Sequence, residues 1–198
     1  MAIYAWNVKG FRAVHHLVGA ALLVVTGPPA MHAQGNGCFP VEPLSARERA
    51  AAEAMLLAAG DGEGLYTLAG GLKPISSDFT RVIVTVAPDS DAVALEALAV
   101  MRAAAAALRC GPVEFHITEF AESYPRADGS RYRIASATVV HREALARAIR
   151  RHTAFWDALG VSPDTDVAAV LDAVERAPRG PRWRGYGYLF GYPEGAVD

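Results

Sequence analysis

The sequence predicts a mixed α+β domain, and three observations carry that prediction. Two β-branched or alternating runs, 81–86 and 113–120, and a third at 131–140 read as strands; apolar residues at three- and four-residue steps mark helices around them; and Gly, Pro and Asp-Gly signals separate the elements. From residue 80 the order is strand, helix, strand, strand, helix with an extra helix, strand. That is the split βαβ order of a ferredoxin-like two-layer sandwich, in which helices cover one face of a four-stranded antiparallel sheet. The 198 residues, 52% hydrophobic and 20% charged, suffice for one domain with a real core and exclude disorder and rod-like architectures.

Residues 1–33 stand apart. Lys9, Arg12, His15 and His16 come without an acid and precede the apolar run Leu17 to Val25; Gly27-Pro28-Pro29 follows, then Ala30-Met31-His32-Ala33. Charge, short apolar core and small residues in that order describe a secretory signal peptide cleaved after Ala33. The run is half the length of a membrane-spanning helix, so no stable transmembrane anchor is expected. The expected location is therefore periplasmic or extracellular. Cleavage leaves 17 basic against 21 acidic residues, a mildly acidic protein and no footprint for nucleic acid. Both cysteines, Cys38 and Cys110, remain, and an even count in an oxidising compartment points to a disulfide; the alternative is a buried, unbonded Cys110.

The mature chain divides into an extension and helix at 34–64 and the α+β sandwich at 65–198. Ser45 and Glu48 form the sequence of a capping box in front of an alanine-rich helix that runs to about Gly60, the obvious cover for the open sheet face. Leu65 to Leu72, broken by Gly70-Gly71, predicts a short turn or helix and then a loop. The strand Arg81–Val86 ends before Pro88, and Asp89 or Ser90 caps a helix carrying Val93, Leu95, Leu98, Met101, Ala105 and Leu108 to a left-handed glycine at 111. The strand from Val113 to Phe120 alternates, with Val113, Phe115 and Ile117 on one face and Glu114, His116 and Thr118 on the other. Asp128-Gly129 turns it into the strand 131–140. A helix is expected from Arg142 to Gly160 and another from Ser162-Pro163, and Tyr186 to Tyr192, aromatics alternating with glycines, reads as the last strand. Pro193-Glu194 then carries helix-start signals.

The fold carries no function by itself, so function rests on particular residues. In the loop 70–78, two glycines permit close backbone approach, and Lys73, Ser76, Ser77 and Asp78 offer charge and hydroxyls; Lys73 is the only lysine after residue 33. Glu114 and His116 share a strand face, a pair competent for general acid and base chemistry, with Arg81 expected on the same face. Arg176, Arg179, Arg182 and Arg184 crowd around Trp183 ahead of Tyr186 and Tyr188, which suits an anionic ligand of the cell envelope or an acidic partner protein. No nucleophile motif, metal spacing or cofactor signature is present in the sequence, and neither metal nor cofactor is expected.

Two readings follow. The first is an exported binding or accessory module using Arg81, Arg179, Arg182, Trp183 and Tyr188. The second is a small hydrolase or isomerase, with His116 as base, Glu114 as its orienter, and Lys73 or Asp78 as electrostatic or acid partner.

Overall fold

A five-stranded antiparallel sheet organises the protein, which we describe from a computed structural model covering residues 38–86 and 91–197. The leader expected at 1–33 and the expected caps Asp89 and Ser90 lie outside the described residues. The strands are β1 (Ile75–Val86), β3 (Val113–Glu119) and β5 (Arg131–His141), extended by two-residue strands β2 (Arg109–Cys110) on β3 and β4 (Tyr124–Pro125) on β5. Both β1 and β3 run antiparallel to β5, so they are parallel to each other with β5 between them. The helix α3 (Ala92–Ala107) links them, which makes this part a split βαβ unit. Asp91 caps α3, accepting a 2.9 Å hydrogen bond from Val93 N. The helix stops before Leu108, and Gly111, at φ +56°, serves the tight turn between β2 and β3 instead of a helix end.

On one sheet face lie α1 (Ala46–Asp61) and α3, with the short α2 (Gly64–Leu68) beside them. Ser45 begins α1 as predicted: Ser45 N donates to Glu48 Oε2 at 2.8 Å, and Glu48 N donates to Ser45 Oγ at 3.4 Å. Ala52, Met55 and Ala59 of α1 meet Met101 and Ala104 of α3 and Leu108 just beyond it, over Val113, Phe115, Ala137 and Val139 of the sheet. The helix α1 therefore shares the face of α3 and does not cover the other one. Its apolar stripe finds an apolar partner there, whereas the second face carries Glu114, His116, Thr118, Ser136 and Thr138. A disulfide between Cys38 and Cys110 fastens the start of the described chain to β2, and Phe39 behind it packs edge-on against Phe115.

The second face is also covered, so the layers are helix, sheet, helix rather than two. Here α4 (Arg142–Arg151), α5 (Thr153–Ala158), α6 (Val167–Arg176) and α7 (Arg179–Leu189) gather around Ile75, Val140, Leu145, Ile149, Trp156, Val170 and Val174. The single helix expected from Arg142 to Gly160 breaks at His152, whose φ −123° and ψ 43° are not helical and whose ring stacks on Tyr188 at 3.8 Å. Ser162-Pro163 form a turn, Ser162 N donating to Thr165 Oγ1 at 2.8 Å, and Asp166 is the true cap of α6.

The largest correction concerns the fourth strand. Tyr186–Leu189 belong to α7, so the four-stranded ferredoxin-like sheet is not completed among the described residues. Glycines make the difference. A Cβ on Gly185 would lie 3.1 Å from the Val174 methyls, and one on Gly187 would lie 2.7 Å from Val197 in α8 (Glu194–Val197), so both serve close helix packing that overrides the strand preference of the tyrosines. Pro181 falls in the first turn of α7, where an absent N–H costs no helical bond. Among the described residues no helix is long and apolar enough to cross a membrane.

Candidate ligand-binding site

The site begins with an irregularity in β1. Ser77 pairs with Thr138 and Arg81 with Ser136, so Asp78, Phe79 and Thr80 bulge opposite the single residue Ala137. Such a bulge re-aims the residues after it. Arg81 is placed on the second sheet face, across Ser136 from Thr118. Above that face, Arg182, Trp183, Tyr186 and Phe190 recur on α7 and its cap at three- and four-residue steps, which is one side of a helix. The segment after β3 adds Phe120, Glu122 and Tyr124 as a third wall.

These elements enclose a cavity of about 310 Å³ lined by Ser77, Arg81, Phe120, Glu122, Tyr124, Ile134, Glu175, Arg182, Trp183, Tyr186 and Phe190. Its body is aromatic, and its charges are two arginines and two glutamates. Trp183 is 65% exposed at the mouth, while the Arg182 side chain is only 14% exposed and pairs with Glu122. Tyr186 and Phe190 stack at 5.6 Å with their planes 17° apart. Glu175 is buried, but both of its oxygens are engaged: Oε2 accepts from Ala121 N at 2.8 Å and Oε1 accepts from the Tyr186 hydroxyl. It therefore acts as an anchor that joins α6, α7 and the Phe120–Tyr124 segment.

That anchor has a pH signature. Burial, and then the hydrogen bond and charge of Glu175, push the Tyr186 phenol far above its ordinary value of 10.0, against a smaller lowering by Arg182. Above pH 10 an unfolded Tyr186 releases its proton while the folded one keeps it. Stability supplied by this group is thus full below pH 10 and falls above it, by about 1.4 kcal/mol per pH unit. Thermal melts between pH 9 and 11 should show a shallower alkaline decline for Tyr186→Phe than for the wild type, and equal slopes would refute the assignment.

Glu114 and His116 meet, with Glu114 Oε1 3.0 Å from His116 Nε2 and side-chain exposures of 8% and 17%. His116 lines a separate cavity of about 180 Å³ between β3 and α6, bounded by Thr118, Glu119, Leu171, Asp172 and Glu175. Lys73 is not part of that cavity. Its ammonium lies 2.6 Å from Glu63 Oε2 and 5.6 Å from the centre of the Tyr66 ring. Asp78 falls in the β1 bulge; its side chain lies outside the described atoms. The loop read at 70–78 is shorter than expected because β1 already starts at Ile75, and Ser76 is buried, donating to Glu63 O at 3.1 Å.

Of the arginine and aromatic candidates, Arg81, Arg182 and Trp183 converge on the larger cavity. Arg179 opens α7 at its exposed end, and Tyr188 turns away into the core against His152 and Phe155. Phe120, Glu122, Tyr124, Ile134, Glu175 and Phe190 were not anticipated. Glu175 had a signal: it lies four residues after Leu171, beside the apolar stripe of α6, where an acid is buried unless the stripe ends. The chain matches no known family model, no curated protein and no solved structure.

Proposed function

We propose that the protein is an exported binding module whose cavity between the second sheet face and α7 takes a small organic ligand with an aromatic body and an anionic group. The observation that carries this reading is the convergence of Arg81, Arg182 and Trp183, from elements a hundred residues apart, on one aromatic-lined cavity of about 310 Å³. That volume is at the small end of ligand sites, which suits a one- or two-ring acid rather than the chains of a membrane lipid. Export is supported by the order of charge, apolar core and small residues in 1–33 and by the Cys38–Cys110 bridge, which belongs to an oxidising compartment.

Titration with 2-naphthoate, followed by tryptophan fluorescence, tests it. In the chain without residues 1–33, which removes Trp6, Trp156 is fully buried, so the change should come from Trp183 and vanish in Trp183→Phe, while calorimetry still detects binding. Arg81→Gln and Arg182→Gln should each weaken binding by about tenfold, the loss of one charge-assisted hydrogen bond. Absence of binding at millimolar ligand, or affinity indifferent to both arginines, would overturn the proposal.

The 3.0 Å contact of Glu114 with His116 favours a second reading, a hydrolase or isomerase in which Glu114 orients the imidazole that acts as base. Hydrolysis of 2-naphthyl acetate that His116→Ala abolishes would carry it in place of the first.

A further inference from the structure

Four ionic groups line the larger cavity, and its two carboxylates are held by different kinds of partner. Glu175 is fixed, since a main-chain amide and a tyrosine hydroxyl already take its two oxygens. Glu122 is held differently. Its Oε1 meets Arg182 Nη2 and its Oε2 accepts from the Tyr124 hydroxyl at 3.4 Å, both of them side chains of the cavity wall. The Glu122 side chain is 52% exposed, whereas that of Arg182 is 14% exposed, so the carboxylate reaches in from solvent to a largely enclosed guanidinium. It stands on the segment between β3 and β4, three residues after Glu119 and two before Tyr124. An exposed carboxylate in such a pair is held weakly and exchanges readily with another anion.

From this we infer that Glu122 is a built-in competitor: its carboxylate occupies the position of the carboxylate of a small aromatic acid, and the ligand displaces it from Arg182 and Tyr124. This rests on the cavity being the ligand site proposed above. A planar carboxylate is the anion that inherits both donors, because a guanidinium presents paired N–H groups matched to its two oxygens. With Glu122 swung out, the lining carries Arg81 and Arg182 against Glu175 alone, and the cavity gains a net positive charge that a single-anion ligand neutralises. The contact thus sets selectivity as well as affinity. A neutral molecule of the same shape gains nothing from evicting Glu122.

The test compares 2-naphthoate with 2-naphthamide, which share shape and differ in charge, by calorimetry on the full chain, as wild type, Glu122→Gln and Glu122→Ala. Both variants should remain folded, with Glu122→Gln nearer the wild-type melting temperature because its amide oxygen still accepts from the largely enclosed Arg182. Each should bind 2-naphthoate at least about fivefold more tightly, the penalty of displacing the internal carboxylate having been removed, while affinity for 2-naphthamide stays within about twofold. Unchanged or weaker naphthoate binding in both variants, with wild-type binding intact, overturns the role of Glu122 and leaves the cavity standing. An equal gain for both compounds overturns it too, since that reports a wider mouth rather than a removed competitor. Failure of the wild type and both variants to bind either compound removes the cavity as a site and this inference with it.

Discussion

Replacing Cys38 and Cys110 together by serine should lower the stability of the domain by about 4 kcal/mol, the cost expected from loop-closure entropy for a bridge across 72 residues of chain. The bond also does local work. It holds the segment 38–44 along the edge of the sheet, where Phe39 N donates to Arg109 O at 3.1 Å and Phe39, Val41 and Leu44 pack on the core beneath α1 and α3. In a domain of this size each kcal/mol moves the melting temperature by about 2–4 °C, so the serine variant should melt about 8–16 °C lower. The wild type measured with reductant should match it. A shift below about 3 °C would mean that the segment is held by packing alone and that the bridge constrains little.

Gly71→Ala should cost about 2–4 kcal/mol, from two sources that a control separates. At φ +67° the backbone at 71 is one that an alanine adopts only with strain. The new Cβ would also stand 2.7 Å from His141 Cγ and 2.9 Å from the Ala144 Cβ. His141 cannot retreat: it is buried, its Nδ1 accepts from Ala144 N at 3.3 Å to cap α4, and its own N–H donates to Pro74 O at 2.9 Å. Gly70→Ala carries the backbone strain alone, since its φ is +123° and nothing lies within 4 Å of the added Cβ. Chemical denaturation should place Gly71→Ala well below Gly70→Ala. Equal losses would show that His141 yields and that only backbone geometry matters.

The fate of Gly71 shows why parts of the site could not be read in advance. Paired glycines look alike whether they admit a ligand or a neighbouring ring, and only the fold reveals that His141 fills the space. The β3–β5 hairpin and the inward set Val113, Phe115 and Ile117 were legible, because strict alternation over one strand depends on nothing remote. So were the Ser45–Glu48 cap and the meeting of Glu114 with His116 two residues apart. The helix α7 was not, for Tyr186-Gly187-Tyr188 has the period of a strand and its helicity is decided by Val174 and Val197 pressing on glycines. Arg81, Arg179, Arg182, Trp183 and Tyr188 read together as one binding surface, yet which of them converge depends on the β1 bulge and on α7 being a helix, which no local pattern announces. Glu122 stayed hidden because its importance lies in a partner 60 residues away.

The glycines at 185 and 187 stand about 200° apart around α7 and lock its two flanks, one against Val174 and the other against Val197. Between those flanks the helix presents Arg182 and Trp183 to the cavity mouth, with Trp183 mostly in solvent. Exchanges at Arg182 and Trp183 leave both glycine contacts untouched, so the chemical preference of the cavity can drift or be redesigned while the scaffold stays the same. Recognition and architecture are separately heritable along a single helix.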